Sequence, residues 1–172
     1  MTPEEQRVRD YLISQGGKYP FGELWVRSIA ARLELIKEVT DVNQNQADFS
    51  FDSAEWTISE ILEHVMTSTH TVTNLISELA IGNTGDSSNI DPPRTVSNLS
   101  IDELRKGLLD GAFKWTSMTD NLPVMPNMDQ MSNHSFFGDL HAGAWYLFQR
   151  VHDLDHLNQI RNNKSHTDYP NI

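Results

Sequence analysis

The stretch Leu140-His-Ala-Gly-Ala-Trp-Tyr-Leu-Phe-Gln-Arg-Val-His152-Asp-Leu-Asp-His156-Leu-Asn-Gln159 decides the fold. Leu140, Ala144, Leu147, Val151 and Leu154 recur three and four residues apart, the spacing of one helical face. A second stripe runs beside it: His141, Trp145, Phe148, His152, His156 and Gln159. It mixes aromatics with nitrogen donors, and Trp145 and Phe148 are placed to make a dry wall beneath the histidines. Residues four apart on a helix are surface neighbours, about 5–6 Å apart at Cβ, so His152 and His156 can ligate a single ion.

A third imidazole stands far upstream, where Trp56-Thr-Ile-Ser-Glu-Ile-Leu-Glu-His64 borders another apolar helical face. His64 lies about 9 Å into its helix, and His156 about 9 Å from the end of its own, at a rise of about 1.5 Å per residue. Antiparallel packing brings the two to one level. Three neutral nitrogens leave a position open, as catalytic metal sites do and closed structural ones do not. A lone histidine on an apolar face is ordinarily a hydrogen-bonded core residue; it is the set of three that points to metal.

Outward from this pair, periodicity of 3.6 residues predicts three further long helices. The first runs from about Phe21 to Asp41 with Trp25, Ile29, Leu33, Ile36 and Val39 inward, the second from Ile58 to Ala80, and the third from Ile101 to Met118. The fourth spans about Asp139 to Asn162. Thr2-Pro-Glu-Glu5, Thr57-Ile-Ser-Glu60 and Ser100-Ile-Asp-Glu103 each place Glu three residues after a hydroxyl, the capping-box signature of a helix start. The first of these opens a short N-terminal helix that Gly16-Gly17 ends.

No sustained alternation of period two is present. The expected fold is therefore all-α, a four-helix bundle with a short extra N-terminal helix. The aperiodic Ile81 to Leu99 segment, with its Pro92-Pro93, serves as a long crossover between helices two and three. Thr119 to Gly138 is a second long connection. The cavity is expected near the start of helix two and the end of helix four, with Val42 to Glu55 and Ile81 to Leu99 closest to it.

Composition bounds the function. The 172 residues suit one domain with an ordinary core. A formal charge of −11, with 13 scattered basic residues, argues against nucleic acid or an anionic membrane surface as partner. Cysteine is absent, which excludes disulfides, thiolate metal sites and a cysteine nucleophile. No apolar run approaches the roughly 20 residues of a membrane span, and Met1-Thr-Pro-Glu-Glu-Gln lacks the pattern of a secretory signal. The expected location is cytoplasmic.

The other histidines carry less. His141 is about 16 Å from His152 along the helix and cannot share its ion. His134 and His166 read as solvated or structural, and His70 has no assigned role. Asp153 and Asp155 could orient an imidazole through its second N–H, although a solvated helix face is the expectation for Asp153. Glu60 and Glu63 are explained by capping and solvation. His152-Asp-Leu-Asp-His156 is also a distant variant of the zinc-protease motif, with Asp153 in place of the glutamate base. No serine–histidine–aspartate arrangement is apparent.

Glu55-Trp56-Thr-Ile-Ser-Glu-Ile-Leu-Glu-His64, Asn133-His-Ser-Phe-Phe-Gly138, Trp145 and His152-Asp-Leu-Asp-His156-Leu-Asn-Gln159-Ile together resemble the DinB-like (YfiT-type) superfamily of helical metal-dependent proteins. The likeness runs in order over most of the chain. Relatives often have proline after the loop histidine, where this chain has Ser135. The resemblance implies an up-down-down-up bundle and a divalent ion, usually nickel or zinc, on residues matching His64, His152 and His156. It also implies thiol-dependent transferase or isomerase chemistry with a low-molecular-weight thiol cosubstrate. Hydrolysis suits the same site on chemical grounds. The alternative is a non-catalytic metal-binding or structural helical module, and a homodimer is compatible with either.

Overall fold

The protein is described from a computed structural model covering residues 1–87, 90 and 92–171. In chain order the elements are α1 (Pro3–Lys18), α2 (Phe21–Glu38), α3 (Gln44–Ala47), α4 (Ile58–Ala80), α5 (Ile101–Asn121), β1 (Met131–His134), β2 (Gly138–His141) and α6 (Ala142–Lys164). The four long helices expected from periodicity are α2, α4, α5 and α6. Thr2, Thr57 and Ser100 each cap a helix with the reciprocal glutamate in place. Asn43 and Gln46 do the same for the single turn α3.

Polar contacts give the helix directions. Arg161 and Lys164 at the end of α6 reach Glu38 at the end of α2, at 3.0 and 3.1 Å, so these two run parallel. Asn163 near the end of α6 donates to the carbonyl of Trp56, just before α4, at 2.7 Å, so α4 is antiparallel to α6. Arg105 near the start of α5 donates to the carbonyl of Val39 past the end of α2, and Trp25 near its start donates to Thr116. Helix α5 is therefore antiparallel to α2 and parallel to α4. The order is up-down-down-up, and the parallel α4 and α5 need the crossover between them. Ser88, Asn89 and Asp91 of that crossover lie outside the described residues.

Two apolar clusters fill the bundle. One gathers Leu12, Leu24, Leu75, Trp115, Trp145 and Tyr146 at one end. The other gathers Leu35, Ile58, Leu62, Leu104 and Ile160 at the opposite end. Between them α2, α4 and α6 contribute a buried polar layer that includes Ser28, Arg32, Ser68, Thr69, Gln149 and Asp153. This layer corrects the inward face expected for α2. Leu33 is exposed, and the core face is Leu24, Ser28, Ala31, Arg32, Leu35 and Val39. The apolar stripe misplaces that face because Ser28 and Arg32, which lie on it, are polar. The same happens on α6, where Val151 and Leu154 are only half-buried while Gln149 and Asp153 are fully buried.

Gly16 and Gly17 do not end α1, which continues to Lys18. Gly16 instead lets α1 cross the first turn of α6: a Cβ there would stand 2.4 Å from the carbonyl carbon of Gly143. Gly16→Ala is expected to lower stability by about 1–3 kcal/mol, because the helices must part. Urea denaturation checks this, and an unchanged midpoint would mean that α1 is not held at that crossing.

The start of α6 also departs from expectation. Residues Asp139 to His141 belong to β2, which pairs antiparallel with β1 in a two-stranded hairpin. Four-residue strands are too short to display alternation, although Gly138, at φ 66°, closes a tight turn that only glycine adopts comfortably. Asn133 Nδ2 donates to Asp139 across the hairpin at 3.1 Å. His141 is the N-cap of α6 instead of a member of its second stripe. Its Nδ1 accepts from the Ala144 N–H at 3.2 Å, which leaves Nε2 to donate to the Ile13 carbonyl at 3.2 Å. Burial pushes its pKa below the ordinary imidazole value, against the pull of that carbonyl. Among the described residues no helix is long and apolar enough to cross a membrane.

Candidate metal centre

Antiparallel packing of α4 and α6 brings His64, His152 and His156 to one point, as the helix arithmetic requires. The Nε2 atom of His152 lies 3.1 Å from that of His64 and 3.1 Å from that of His156. One ligand atom from each of the three falls within 4.8 Å of the others, a grouping that could hold a metal ion. Metal–nitrogen bonds of about 2.0–2.1 Å put two nitrogens about 2.9 Å apart at a right angle and about 3.3 Å apart at the tetrahedral angle. The observed spacing falls between these limits. The donor set fits a divalent cation.

Neighbouring groups prepare the rings for that task. Gln159, one turn along from His156, presents its Oε1 to His156 Nδ1 at 3.0 Å. That contact places the hydrogen on Nδ1 and turns the Nε2 lone pair toward the other two histidines. Trp56 packs edge-on to His64, with ring centroids 5.2 Å apart. Phe148 lies 5.4 Å from His152 and so lines the site from one turn back along α6. Trp145 sits behind it, fully buried, and donates to the Ser132 carbonyl. Only Phe148 of the two expected wall residues therefore touches the cavity.

His152 keeps some surface toward the cavity while protein packs densely around it. Burial, then His156, His64, Arg32 and His134, push its pKa well below the ordinary imidazole value. Neutral imidazole is the form that ligates. Asp153 behaves quite differently from the solvated residue expected. It is wholly buried, and its carboxylate accepts from Arg32 Nε and Nη2 at 2.9 and 2.8 Å. Burial raises its pKa while Arg32 draws it down. With both oxygens on Arg32, away from the cavity, Asp153 cannot be the base of a protease-like site.

The three histidines form the floor of a cavity of about 430 Å³. Trp56, Ile90, His134, Phe136, Phe137 and Phe148 wall it, with Asp155 and Gln159 also along its lining. His134 is the residue that sequence reasoning missed. It is buried, its Nδ1 accepts from the Phe136 N–H at 3.1 Å, and its ring packs on Phe137, Phe148 and Trp145. The signal was the Gly138 turn, which folds the hairpin back along α6 and carries three wall residues with it. Val42 to Glu55, expected close by, contributes none of the described lining residues. Gln46 instead donates to the Pro170 carbonyl of the C-terminal tail, and Asp48 accepts from Ser59 in the first turn of α4. Ile90 does bring the crossover to the cavity.

The profile of the DinB superfamily matches residues 27–160, from α2 to the end of the apolar part of α6. The chain belongs to the DinB superfamily. Neither a curated protein nor a solved structure matches it. The matched span holds most of the four-helix bundle, the hairpin and all three clustered histidines of this DinB-superfamily protein. Helix α1 and the C-terminal tail lie outside it. His70 is exposed on α4, and His166 stacks on Phe51 at 4.6 Å, so neither belongs to the cluster.

Proposed function

We propose that this DinB-superfamily protein is a small metalloenzyme whose ligands are His64, His152 and His156. The observation that carries this is the convergence of three imidazole nitrogens on the floor of an aromatic cavity large enough for a small molecule. A divalent ion held there, nickel or zinc, would supply Lewis acidity and lower the pKa of a coordinated thiol or water. The protein's own groups do the rest. Gln159 fixes the tautomer of His156, and Phe148, Trp56 and Phe137 keep water from much of the cavity. In such surroundings the attraction between a cation and an anionic ligand is stronger than in bulk water.

No serine, threonine, cysteine, lysine or tyrosine stands among the described lining residues, which favours a nucleophile from outside the chain. A low-molecular-weight thiol in a transferase or isomerase reaction suits this arrangement, and water in a hydrolase is the other case. A cavity that reaches the histidines also favours an enzyme over a closed structural site. Purified protein is expected to carry close to one equivalent of divalent metal. Its cobalt- or nickel-loaded form should change visible spectrum when 2-mercaptoethanol is added. A fully loaded protein with an unresponsive spectrum at high thiol concentration would mean a closed site and end the enzyme reading.

A further inference from the structure

We infer that the cavity selects small molecules made of a metal-binding anionic group on a flat, otherwise uncharged aromatic body. The inference rests on the three-histidine metal reading above and extends it to the class of ligand. The walls are the reason. Trp56, His134, Phe136, Phe137 and Phe148 surround the space beyond the histidines, and Ile90 and Val151 complete an apolar lining. Aromatic walls favour a planar apolar body, which stacks or meets them edge-on.

Charge sets the second half of the specificity. No Lys or Arg is among the described lining residues, and Asp155 is their only carboxylate. Arg94, the nearest cation in sequence to Ile90, is engaged with Glu60 at 3.0 Å and with the Ser53 carbonyl. A ligand's first anionic group would meet the metal. A second would find no cation among the described wall residues and would be repelled by Asp155. Phosphorylated or dicarboxylic ligands are thereby disfavoured, and a neutral or amine-bearing far end is favoured.

Phe136 is the wall residue most open to test. It is 53% exposed at the tip of the hairpin, so its replacement removes cavity wall and little core. The experiment titrates the full-length cobalt-loaded protein with acetate, benzoate and terephthalate and follows the visible spectrum. Benzoate is expected to bind about tenfold or more tightly than acetate, the scale of burying one aromatic ring, and terephthalate more weakly than benzoate. Phe136→Ser should narrow the benzoate-to-acetate ratio, and Asp155→Asn should bring terephthalate closer to benzoate. Equal affinity for acetate and benzoate, or a ratio indifferent to Phe136→Ser, would overturn this inference and leave the open metal site standing. A loaded protein that responds to none of the three acids would overturn both.

Discussion

Arg32→Met is expected to lower folding stability by about 3–5 kcal/mol, the cost of leaving a buried charge without its partner. Asp153 has no exposed surface, and its two oxygens take their hydrogen bonds from the one guanidinium. Arg32 also donates to Thr69 Oγ1 at 2.7 Å, and Thr69 in turn donates to the Val65 carbonyl. One side chain of α2 thus ties α4 to α6 at a level between the two apolar clusters. The double change Arg32→Met with Asp153→Leu should recover much of the loss, since it removes both charges together. Urea denaturation of the two single variants and the double variant measures this. A loss below about 1 kcal/mol for Arg32→Met would place the pair among the weak, solvent-screened kind.

The second large effect is on metal. His152 is the central member of the cluster, with its Nε2 at 3.1 Å from both others, so His152→Ala is expected to weaken metal binding by more than about 100-fold, beyond the usual loss of a supporting residue. His141→Ala is the control. It should leave metal content intact and cost about 1 kcal/mol, the value of a helix cap. Metal analysis after dialysis distinguishes the two, and equal metal loss from both would place the site elsewhere.

Acid provides an independent check. The pKa of His152 is depressed in the folded protein, chiefly by burial, so the unfolded chain takes up a proton that the folded one resists. Its contribution to stability is therefore present above the unfolded imidazole value of about 6.5 and is lost as pH falls below it. Metal, which needs neutral imidazoles, should leave in the same direction. Full occupancy at strongly acidic pH would rule out an all-histidine ligand set.

The bundle and the histidine cluster were legible because both depend on local spacing. Helical periodicity placed α2, α4, α5 and α6, and hydroxyl–glutamate pairs marked three of the helix starts. The four-residue separation of His152 and His156, together with the depth of His64 in its helix, was enough to predict which helices must face each other. What escaped were features set by distant parts of the chain. Asp153 looked solvated because Arg32, 121 residues away, is invisible to any local pattern. The face of α2 was misjudged for the same reason, since Arg32 and Ser28 look like surface residues until the partner is known. His134 was unreadable until the hairpin turn placed it over α6.

The parallel pairing of α2 with α6 has a consequence in time. These two helices are the first and last of the four long ones in chain order, so α6 is the last of them to leave the ribosome. Until it does, Arg32 has no carboxylate to meet, Gly16 has no backbone to cross, and His64 stands alone of the three. Chains emerge from the N-terminal end and form long-range contacts late. The assembly of the bundle therefore waits for α6, when a single helix supplies the counter-ion, the docking groove for α1 and two of the three imidazoles together. A nascent chain halted before Ala142 would display an incomplete core to any chaperone or protease that met it.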